Sequence, residues 1–231
     1  KQVMMRAGIP VVPGSDGAIK DIEMAKKLAS EIGYPVIIKA AAGGGGRGMR
    51  VVEKEEDLEK NFWSAESEAM SAFGDGTMYM EKYISNPRHI EVQVLGDEHG
   101  NVVHVGERDC SMQRRHQKLI EESPAVILDD ATRANLHETA VRAAKAIGYA
   151  GAGTFEFLYD QKDNKFYFIE MNTRLQVEHC VSEMCSGLDL IEWMIRIAQG
   201  EKLLDQSQIK LEGHAIECRI TAEDPKSFTP N

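Results

Sequence analysis

The sequence lacks any apolar run that approaches the length of a membrane span, and its first residues lack the apolar core of a signal peptide. Its four cysteines form no C-x-x-C pair and no zinc-binding spacing, which favours reduced thiols over a disulfide framework. It also lacks an excess of positive charge, with 27 Lys and Arg against 37 Asp and Glu. Nucleic-acid-binding proteins show the opposite bias. We therefore expect an intracellular protein that acts on a small acidic substrate and binds neither nucleic acid nor membrane.

The length of 231 residues and the 42% hydrophobic content are enough to bury the core of one large or two small domains. Helical periodicity and strand alternation are both present, which predicts an α+β fold. The predicted helices are Ile19–Glu31, Lys54–Phe73, Thr132–Ile147 and Gly187–Gln199. The predicted strands are Pro35–Lys39, Met49–Glu53, Thr77–Ile84, His89–Leu95, Val102–Gly106, Gly153–Asp160 and Lys165–Asn172. A Ser-Asn-Pro-Arg break predicts a small unit over 1–84 and a larger one over 85–231.

Two short, aromatic-rich strands carry the first candidate site. Gly153–Asp160 and Lys165–Asn172 alternate with a period of two around an Asp-Asn turn signal, which predicts a hairpin. On the second strand, this period places Glu170 and Asn172 on the same face as Phe168. The hairpin therefore predicts a face that carries acidic and amide side chains.

The register of the hairpin decides whether Glu156 joins these side chains. If Gln161 lies opposite Lys165, then Glu156 lies directly opposite Glu170, but a slip of one residue places it on the other face. The sequence leaves both registers open. In the first register, Glu156, Glu170 and Asn172 would supply the all-oxygen ligand set that Mg²⁺ prefers. The alternative is that these acids are solvated on an exposed strand face.

A glycine-rich loop follows the first predicted strand of the small unit. Four consecutive glycines, Gly43–Gly46, stand between Pro35–Lys39 and Met49–Glu53. Because glycine has no Cβ, backbone N–H groups in such a loop can approach phosphate oxygens closely. The loop is neither a Walker A motif nor a dinucleotide fingerprint. It predicts a phosphate-covering flap with Lys39 as a point charge, and the alternative is a plain flexible turn.

A basic run stands out in this acidic protein. Arg114, Arg115, His116 and Lys118 gather cationic and donor groups that suit phosphate or bicarbonate. The alternative is a solvated basic loop that neighbouring glutamates neutralise. Aromatic residues are not interleaved with the run, so single-stranded nucleic acid is a poor candidate ligand.

These features occur together, and in the same order, in a known family. The sequence resembles the ATP-grasp superfamily and, within it, the biotin carboxylase component of biotin-dependent carboxylases, over nearly its whole length. The motifs that carry the resemblance are GYPVIIKAAAGGGGRGM (33–49), YMEKYI (79–84), NPRHIE (86–91), ERDCSMQRRHQK (107–118), GAGTFEF (151–157), FIEMNTRLQVEH (168–179) and GHAIECRITAEDP (213–225). Their number and order make coincidence improbable.

The resemblance implies an ATP-grasp fold in which two α+β parts sandwich ATP, with a small lid and a larger central part. It implies that ATP activates bicarbonate to carboxyphosphate, which then carboxylates biotin at its ureido nitrogen. The implied nucleotide-binding residues are Lys39, Gly45, Gly46, Met49, Glu81, Lys82, Tyr83, Ile84, His89, Gln113, His116, Leu158 and Ile169. Among them, Lys39 and the glycines would cover the phosphates, and 81–84 would line the adenine.

The resemblance also implies roles for the polar residues of the larger part. Glu156, Glu170 and Asn172 would hold Mg²⁺ or Mn²⁺. The residues that would hold bicarbonate are Lys118, Arg174, Gln176 and the backbone of Val177. Glu178 would act as the general base, and Arg219 would stabilise the enolate of biotin at its ureido oxygen. The catalytic set implied in this way is Lys118, Arg174, Glu178 and Arg219.

Partners and context follow from the same resemblance. The implied partners are a biotin carboxyl carrier protein or domain and a carboxyltransferase component, with a homodimer in the full-length enzyme. A cytoplasmic location is expected, or the mitochondrial matrix in a eukaryote. The matching motifs begin and end inside the family pattern, which predicts that the chain is a segment of a longer enzyme and is inactive or weakly active alone. Cys180 and Ser182 replace the proline and threonine that are common in the family, without an expected loss of activity.

Two other functions stay open at this point. One is a different ATP-grasp ligase, such as a carbamoyl-phosphate synthetase domain, which the MQRRHQK and RLQVEH runs disfavour. The other is a nucleotide-binding module without catalysis, which would not need Arg174 and Glu178. The acyl acceptor, whether acetyl-CoA as in fatty acid biosynthesis, propionyl-CoA or pyruvate, is not determined by these residues.

Overall fold

The computed structural model describes residues 2–42, 48–114 and 117–229. The chain forms two compact units, a smaller one of Val12–Ser85 and a larger one of Lys1–Val11 with Asn86–Asn231. The predicted small unit, 1–84, also included residues 1–11. These belong to the larger unit, because Met4 and Ile9 are buried in its core and the N–H of Phe168 donates to the carbonyl of Pro10. Among the described helices, none combines the length and the apolar content that a membrane crossing requires.

The elements are numbered here in chain order. The helices are α1 (Gln2–Arg6), α2 (Ile22–Ile32), α3 (Leu58–Phe73), α4 (Asp130–Ala146), α5 (His179–Ser186) and α6 (Leu190–Ala198). The strands are β1 (Val36–Ala40), β2 (Met49–Val52), β3 (Met78–Lys82), β4 (Arg88–Gly96), β5 (Val102–Arg114), β6 (Gln117–Ser123), β7 (Gly151–Asp160), β8 (Lys165–Asn172) and β9 (Ala215–Cys218). All predicted helices and strands are present, and most of their ends shift by no more than four residues. The exception is β5, which was predicted to end at Gly106 and continues to Arg114. Short elements α1, α5, β6 and β9 were not predicted.

The smaller unit packs α2 and α3 against a three-stranded antiparallel sheet in the order β2-β1-β3, within its described residues. The side chain of Asp21 caps α2 by accepting a hydrogen bond from the N–H of Met24 at 2.8 Å. Gly33, with a φ of 78°, ends this helix. Ile38 and Phe62 are buried in the core between sheet and helices. The unit therefore holds β1 and β3 side by side.

The larger unit is built on an antiparallel sheet with six strands in its described residues, in the order β8-β7-β4-β5-β6-β9. One face of the sheet is apolar and packs against α4, with Ile90, Phe155, Phe157 and Leu136 in the core. Alternation along each strand points successive residues to the other face. This face carries polar side chains around Arg108, and beside them Leu95 and Val103 pack against Leu190 and Ile197 of α6. The predicted alternative of a solvated basic loop is wrong for 107–114, which lie in β5.

A shift of register in the β7–β8 hairpin brings the two predicted metal-binding glutamates together. At the turn end, Asp160 lies opposite Lys165, whereas the register that aligns the glutamates requires Gln161 there. A β-bulge further along shifts the pairing by one residue, and Glu156 pairs directly with Glu170. The predicted alignment of Glu156 with Glu170 is therefore present. It results from the bulge and not from the register at the turn.

The bulge also changes which side chains of β8 share a face. Phe168 is buried in the core, and Met171 packs against the same core. Strict alternation from Phe168 would point Glu170 into that core, but the extra residue at the bulge, Ile169, reverses the order. The prediction that Glu170 and Asn172 share a face with Phe168 is therefore wrong. They lie on the opposite, polar face of the sheet.

A buried cluster of ionisable groups joins α4 to β5. Glu107 is fully buried, with its carboxylate oxygens 2.6 Å from Nε2 of His137 and 2.8 Å from Nε of Arg133. Burial would raise the pKa of Glu107, but His137 and Arg133 outweigh it and lower the pKa to about 2. The His137 ring stacks on His104 with 4.0 Å between ring centroids. Burial, aided by the charge of His137, lowers the pKa of His104 to about 4.

We expect acid to destabilise the larger unit through His104. Its pKa of about 4 in the folded chain lies below the ordinary 6.5, so the unfolded chain binds the proton first as the pH falls through this window. The free energy of unfolding should therefore decrease from pH 6.5 to pH 4 by up to about 3 kcal/mol on account of this residue. The His104→Phe variant keeps an aromatic ring and should lack this part of the decrease. Urea unfolding at pH 7 and pH 4 measures it, and an equal decrease in both proteins would contradict the assignment.

Candidate active site

The polar face of the larger unit gathers charged side chains around Lys118 on β6. Its Nζ lies 2.5 Å from Oε2 of Glu91, 2.9 Å from Oε1 of Glu156 and 2.7 Å from Oε1 of Glu178. Burial lowers the pKa of Lys118, but the carboxylates, Glu91 foremost, outweigh it, and the pKa lies above its ordinary value. An ammonium group at the centre of three carboxylates stays charged at any physiological pH.

Glu178 lies between two cationic side chains. Its second oxygen, Oε2, is 2.6 Å from Nη2 of Arg219, while Lys118 holds Oε1. Arg219 is held in turn by Glu121, whose Oε1 lies 2.7 Å from its Nε. Glu178 is only 2% exposed and directly precedes α5, so the helix fixes its backbone. The geometry places a buried carboxylate between an ammonium and a guanidinium group.

His89 and Glu156 form a second ion pair in the same cluster. Nε2 of His89 lies 3.0 Å from Oε2 of Glu156 and 3.8 Å from Oε2 of Glu91. Burial lowers the pKa of His89, but these two carboxylates outweigh it and raise the pKa to about 9. Burial likewise would raise the pKa of Glu156, but His89 and then Lys118 lower it to about 2. Both groups are therefore charged at neutral pH.

A fully buried arginine supports the cluster from within the sheet. Arg108 donates from Nε to Glu91 at 2.7 Å, and from its other nitrogens to Gln93 at 2.8 Å, Ser182 at 2.9 Å and Thr154 at 3.2 Å. Burial lowers its pKa, but Glu91 outweighs this and raises it. These contacts tie β4, β5, β7 and α5 together beneath the functional residues.

Sequence reasoning gave no role to Arg108, Glu91 or Glu121. A signal for Glu91 is nevertheless present in the sequence. Alternation along His89–Leu95 points Ile90, Val92 and Val94 to the core, and it must then point Glu91 to the polar face beside His89. For Arg108 no local signal exists, because its partners come from distant strands.

The predicted metal ligands fit a hard divalent cation by their chemistry. Glu156 and Glu170 are cross-strand partners, and Nδ2 of Asn172 donates to Oε1 of Glu156 at 2.8 Å. Three oxygen-bearing side chains from two paired strands are thus adjacent, which suits Mg²⁺ or Mn²⁺. Glu170 is exposed, whereas Glu156 is surrounded by the donors Lys118 and His89. A cation that binds Glu156 would compete with these donors.

The predicted bicarbonate residues lie on the segment between β8 and α5. Arg174 is exposed, with Nη2 3.4 Å from Oδ1 of Asn172. Gln176 is buried and donates from Nε2 to Oε1 of Glu156 at 3.2 Å. Val177 is exposed beside Glu178. The structure therefore brings Arg174 and Gln176 into the chain of contacts that contains Glu156 and Glu178.

Among the predicted nucleotide-binding residues of the larger unit, His89 belongs to the cluster. Leu158 is partly exposed on the same strand face as Glu156, and Ile169 is the exposed residue of the bulge. The side chain of Gln113 donates to the carbonyl of Cys110 at 2.8 Å and so contacts its own strand. Gly45, Gly46 and His116 lie outside the described residues.

In the smaller unit, the structure pairs two of the predicted nucleotide-binding residues. Nζ of Lys39 on β1 lies 2.7 Å from Oε2 of Glu81 on β3. Lys82 donates from Nζ to the carbonyls of Gly33 and Tyr34, at 3.0 Å each. The other three candidates are at the sheet or just after it: Met49 and Tyr83 are partly exposed, and Ile84 is buried.

Comparison with known proteins supports the resemblance inferred from the motifs. The chain is 58% identical to the biotin carboxylase of Pseudomonas aeruginosa and 58% identical to the 2-oxoglutarate carboxylase small subunit of Hydrogenobacter thermophilus. Each comparison covers 100% of this chain and 51% or 49% of the relative, respectively. The chain thus spans about half the length of the curated relatives it matches, and similarity to biotin carboxylases is confirmed.

Solved structures agree. The biotin carboxylase of Campylobacter jejuni, solved as a β-γ-ATP complex, is 77% identical to this chain, with a TM-score of 0.87. The comparison covers 100% of this chain and 51% of the Campylobacter chain. The biotin carboxylase domain dimer of the Hydrogenobacter enzyme, solved with MgADP, ADP and bicarbonate, is 58% identical with a TM-score of 0.85 and the same coverage. The predicted α+β ATP-grasp fold is therefore confirmed.

The family assignment rests on a separate comparison. The model of the family described as carbamoyl-phosphate synthase L chain, ATP binding domain, matches residues 1–206 of this chain. This match covers the smaller unit and the larger unit as far as residue 206, including the strands that carry His89, Lys118 and Glu156. The chain belongs to the family of carbamoyl-phosphate synthase L chain ATP-binding domains.

Proposed function

We propose that the chain is the ATP-grasp segment of a biotin carboxylase, and that the whole protein uses ATP and bicarbonate to carboxylate biotin. In this reaction a bicarbonate oxygen attacks the γ-phosphorus of ATP and ADP leaves, which gives carboxyphosphate. The carboxyl group then passes to the ureido nitrogen of biotin, and phosphate is released. Since the chain spans about half of its curated relatives, the reaction is assigned to the whole protein.

One observation carries this proposal: Glu178 contacts Lys118 and Arg219 at the same time, at 2.7 and 2.6 Å. A general base has to lie within hydrogen-bond reach of the proton that it accepts. A cationic group beside it can bind the negative charge that develops when the ureido oxygen of biotin becomes an enolate. Glu178 and Arg219 would therefore serve consecutive parts of one reaction at one place.

The surroundings of Glu178 suit bicarbonate in particular. Bicarbonate is a planar anion that also carries one O–H donor. The guanidinium group of Arg174 can bind two of its oxygens with parallel hydrogen bonds. Oε1 of Gln176 is a buried acceptor that makes no hydrogen bond within the described residues, and it could accept from this O–H. Nitrate, which is planar but has no donor, would lack the second interaction.

We further propose that Glu156, Glu170 and Asn172 hold the Mg²⁺ or Mn²⁺ that accompanies ATP. When bound, this cation would neutralise charge on the phosphate oxygens. The chain's own contribution is then to orient the acceptor. Arg174 is adjacent to Asn172, so bicarbonate and the cation would bind side by side. The nucleotide-binding roles of Lys39, Glu81 and the residues after them remain predictions.

The test is ADP release from MgATP at saturating bicarbonate, with and without free biotin, on the 231-residue chain and on the full-length protein that contains it. If biotin stimulates ADP release by the full-length protein, the proposal is supported. If bicarbonate stimulates ADP release and biotin has no effect, another ATP-grasp ligase is favoured. Binding of MgATP without any release would favour a nucleotide-binding module. Activity of the short chain would show that this segment contains the complete chemistry.

Arg219→Met should separate the two halves of the reaction. Without the guanidinium group, biotin-dependent turnover in the full-length protein should fall by about 10²–10³-fold, as for the loss of one oxyanion-stabilising donor. ADP release without biotin should change far less, because bicarbonate activation does not use the ureido oxygen. Steady-state assays of both activities measure the split.

Arg114→Met is the matched control for Arg219. Arg114 is also partly buried, donates to both oxygens of Glu223 at 2.9 and 2.7 Å, and lies over the ring of Phe228. Replacement of Arg114 removes a similar ion pair that lies outside the cluster around Lys118. We expect both activities to change equally in that variant. The same equal change in Arg219→Met would contradict its role at the ureido oxygen.

The partners and the location are part of the proposal. A biotin carboxyl carrier protein or domain would present biotin, and a carboxyltransferase component would accept the carboxyl group from it. A homodimer is proposed for the whole protein, supported by the dimer of the related Hydrogenobacter domain. The cytoplasm is the proposed location, whereas a relative from rice, methylcrotonoyl-CoA carboxylase subunit alpha, is named as mitochondrial.

A further inference from the structure

A second group of ligand-type side chains lies at the start of α5, outside the cluster around Lys118. It consists of His179, Cys180 and Glu183, and we refer to it as the α5 triad. Nε2 of His179 is 3.8 Å from Sγ of Cys180 and 3.7 Å from Oε2 of Glu183. One ligand atom from each of the three residues lies within 4.8 Å of the other two. The triad therefore holds a nitrogen, a sulfur and an oxygen atom close to one another.

We propose that the α5 triad binds Zn²⁺ through Nε2 of His179, Sγ of Cys180 and Oε2 of Glu183. Zinc accepts this mixture of ligands and is usually tetrahedral, so three protein ligands would leave the fourth position to water. With zinc–ligand bonds of about 2.0–2.3 Å, tetrahedral ligand atoms lie about 3.3–3.6 Å apart. The two distances above exceed this range by a few tenths of an ångström, and the thiol of Cys180 and a carboxylate oxygen of Glu183 lie within 4.8 Å of one another. Zinc binding therefore requires the Cys180 side chain to rotate towards the other two ligands.

The surroundings of His179 fix it in the form that binds metal. Its Nδ1 lies 2.8 Å from the carbonyl oxygen of Gln176, which can only accept, so Nδ1 carries the proton. Nε2 is then left with an unprotonated lone pair. Sγ of Cys180 lies beside the ring, 3.8 Å from Nε2 and 3.9 Å from Nδ1, so its side chain has to rotate to face this lone pair. Histidine ligands in metalloproteins generally donate their other N–H in this way. The hydrogen bond is thus an outer-shell contact that is in place before any metal binds.

Glu183 is oriented in a similar manner. Its Oε1 accepts a hydrogen bond from the backbone N–H of Leu190 at 2.7 Å, which holds the carboxylate and leaves Oε2 towards His179. The 3.7 Å between Oε2 and Nε2 is too long for a hydrogen bond. The two atoms face one another without bonding, as ligands around a shared ion do.

The thiol of Cys180 is accessible to solvent. Cys180 is exposed, and burial of its sulfur together with the carboxylates of Glu217 and Glu183 raises the pKa of the thiol. A zinc ion would reverse the effect of those carboxylates and bind the thiolate, with release of a proton. Because Cys180 faces solvent, the metal has a direct path to the triad. None of these steps depends on the function proposed above.

The experiment uses Zn²⁺ alone with the 231-residue chain and with the full-length protein. Isothermal titration should give one Zn²⁺ per chain with proton release. In parallel, iodoacetamide labelling followed by mass spectrometry compares Cys180 with Cys218, which is exposed as well and serves as an internal control. Zn²⁺ should slow the labelling of Cys180 at least tenfold and leave that of Cys218 unchanged. Equal labelling of Cys180 with and without Zn²⁺ would overturn the proposal.

Variants identify the ligands. Cys180→Ser, His179→Gln and Glu183→Gln should each weaken Zn²⁺ binding at least tenfold, and Cys218→Ser should not change it. Circular dichroism checks that each variant is folded. If the Cys180→Ser variant bound Zn²⁺ as tightly as the parent protein, the ion would bind elsewhere, for instance at His89 and Glu156. That result would overturn the proposal. Should a variant fail to fold, the labelling of the unaltered chain decides.

Discussion

Replacement of Glu178 by Gln is expected to lower bicarbonate-dependent ATP turnover by about 10²–10⁴-fold, the usual contribution of a general base. Glutamine has nearly the same shape and keeps an acceptor oxygen for Lys118 or Arg219, but it cannot accept a proton from bicarbonate. The affinity for MgATP should stay nearly unchanged, because the side chain of Glu178 is hydrogen-bonded to Lys118 and Arg219 and, within the described residues of the larger unit, not to the predicted metal ligands. Turnover assays and nucleotide titration of the full-length protein measure the two quantities.

Glu201→Gln serves as the matched control, since Glu201 is exposed and lies in the connection after α6. This variant should behave as the parent protein in both assays. An equal loss of MgATP affinity and of turnover in Glu178→Gln would argue against the role of a base, and would point instead to a collapse of the ion pairs around Lys118 and Arg219.

Arg108→Met should destabilise the protein by about 3–5 kcal/mol, the range observed when one partner of a buried ion pair is removed. Methionine fills much of the volume, but it leaves the fully buried carboxylate of Glu91 with Lys118 at 2.5 Å and the more distant His89 at 3.8 Å. It also removes the hydrogen bonds to Gln93 and Ser182. Urea unfolding at pH 7 measures the change, and the midpoint should move without a large change in slope.

Arg142→Met is a suitable comparison, because Arg142 is exposed on α4 and its hydrogen bonds to the described residues are long, at 3.5 Å. We expect its free energy of unfolding to stay within about 0.5 kcal/mol of the parent. If Arg108→Met and Arg142→Met had equal free energies of unfolding, the hydrogen bonds of Arg108 would not be what holds β4, β5, β7 and α5 together.

The predictions from sequence succeeded where the information is local. Helix α2 has an Asp cap and a terminal Gly33 with positive φ, and the β7–β8 hairpin has alternation with an Asp-Asn turn. Such signals concern neighbours in the chain, so they could be recognised from the residues alone. The register between Glu156 and Glu170 was not determined in this way, because a bulge depends on how both strands pack on the core.

The site shows the same limit. Lys118, Glu178 and Arg219 were named because their motifs resemble those of a family, and the structure places them in contact. Arg108 and Glu121 were given no role, although they hold Glu91 and Arg219 in place. A charged residue in a strand has the same local appearance whether it is solvated or buried against a distant partner. Only the three-dimensional contacts distinguish the two.

The bulge at Ile169 makes β8 one residue longer than its pairing with β7 requires. Loss of this one residue would restore simple alternation, with Glu170 still on the polar face and Met171 still towards the aromatic core. A replacement of Ile169 by another side chain would leave the pairing intact as well, since the position faces solvent. Related chains should therefore tolerate the loss of a residue at this position as readily as in the turn at 161–164. Straightening the strand with Ile169 retained is the change that would turn Glu170 into the core.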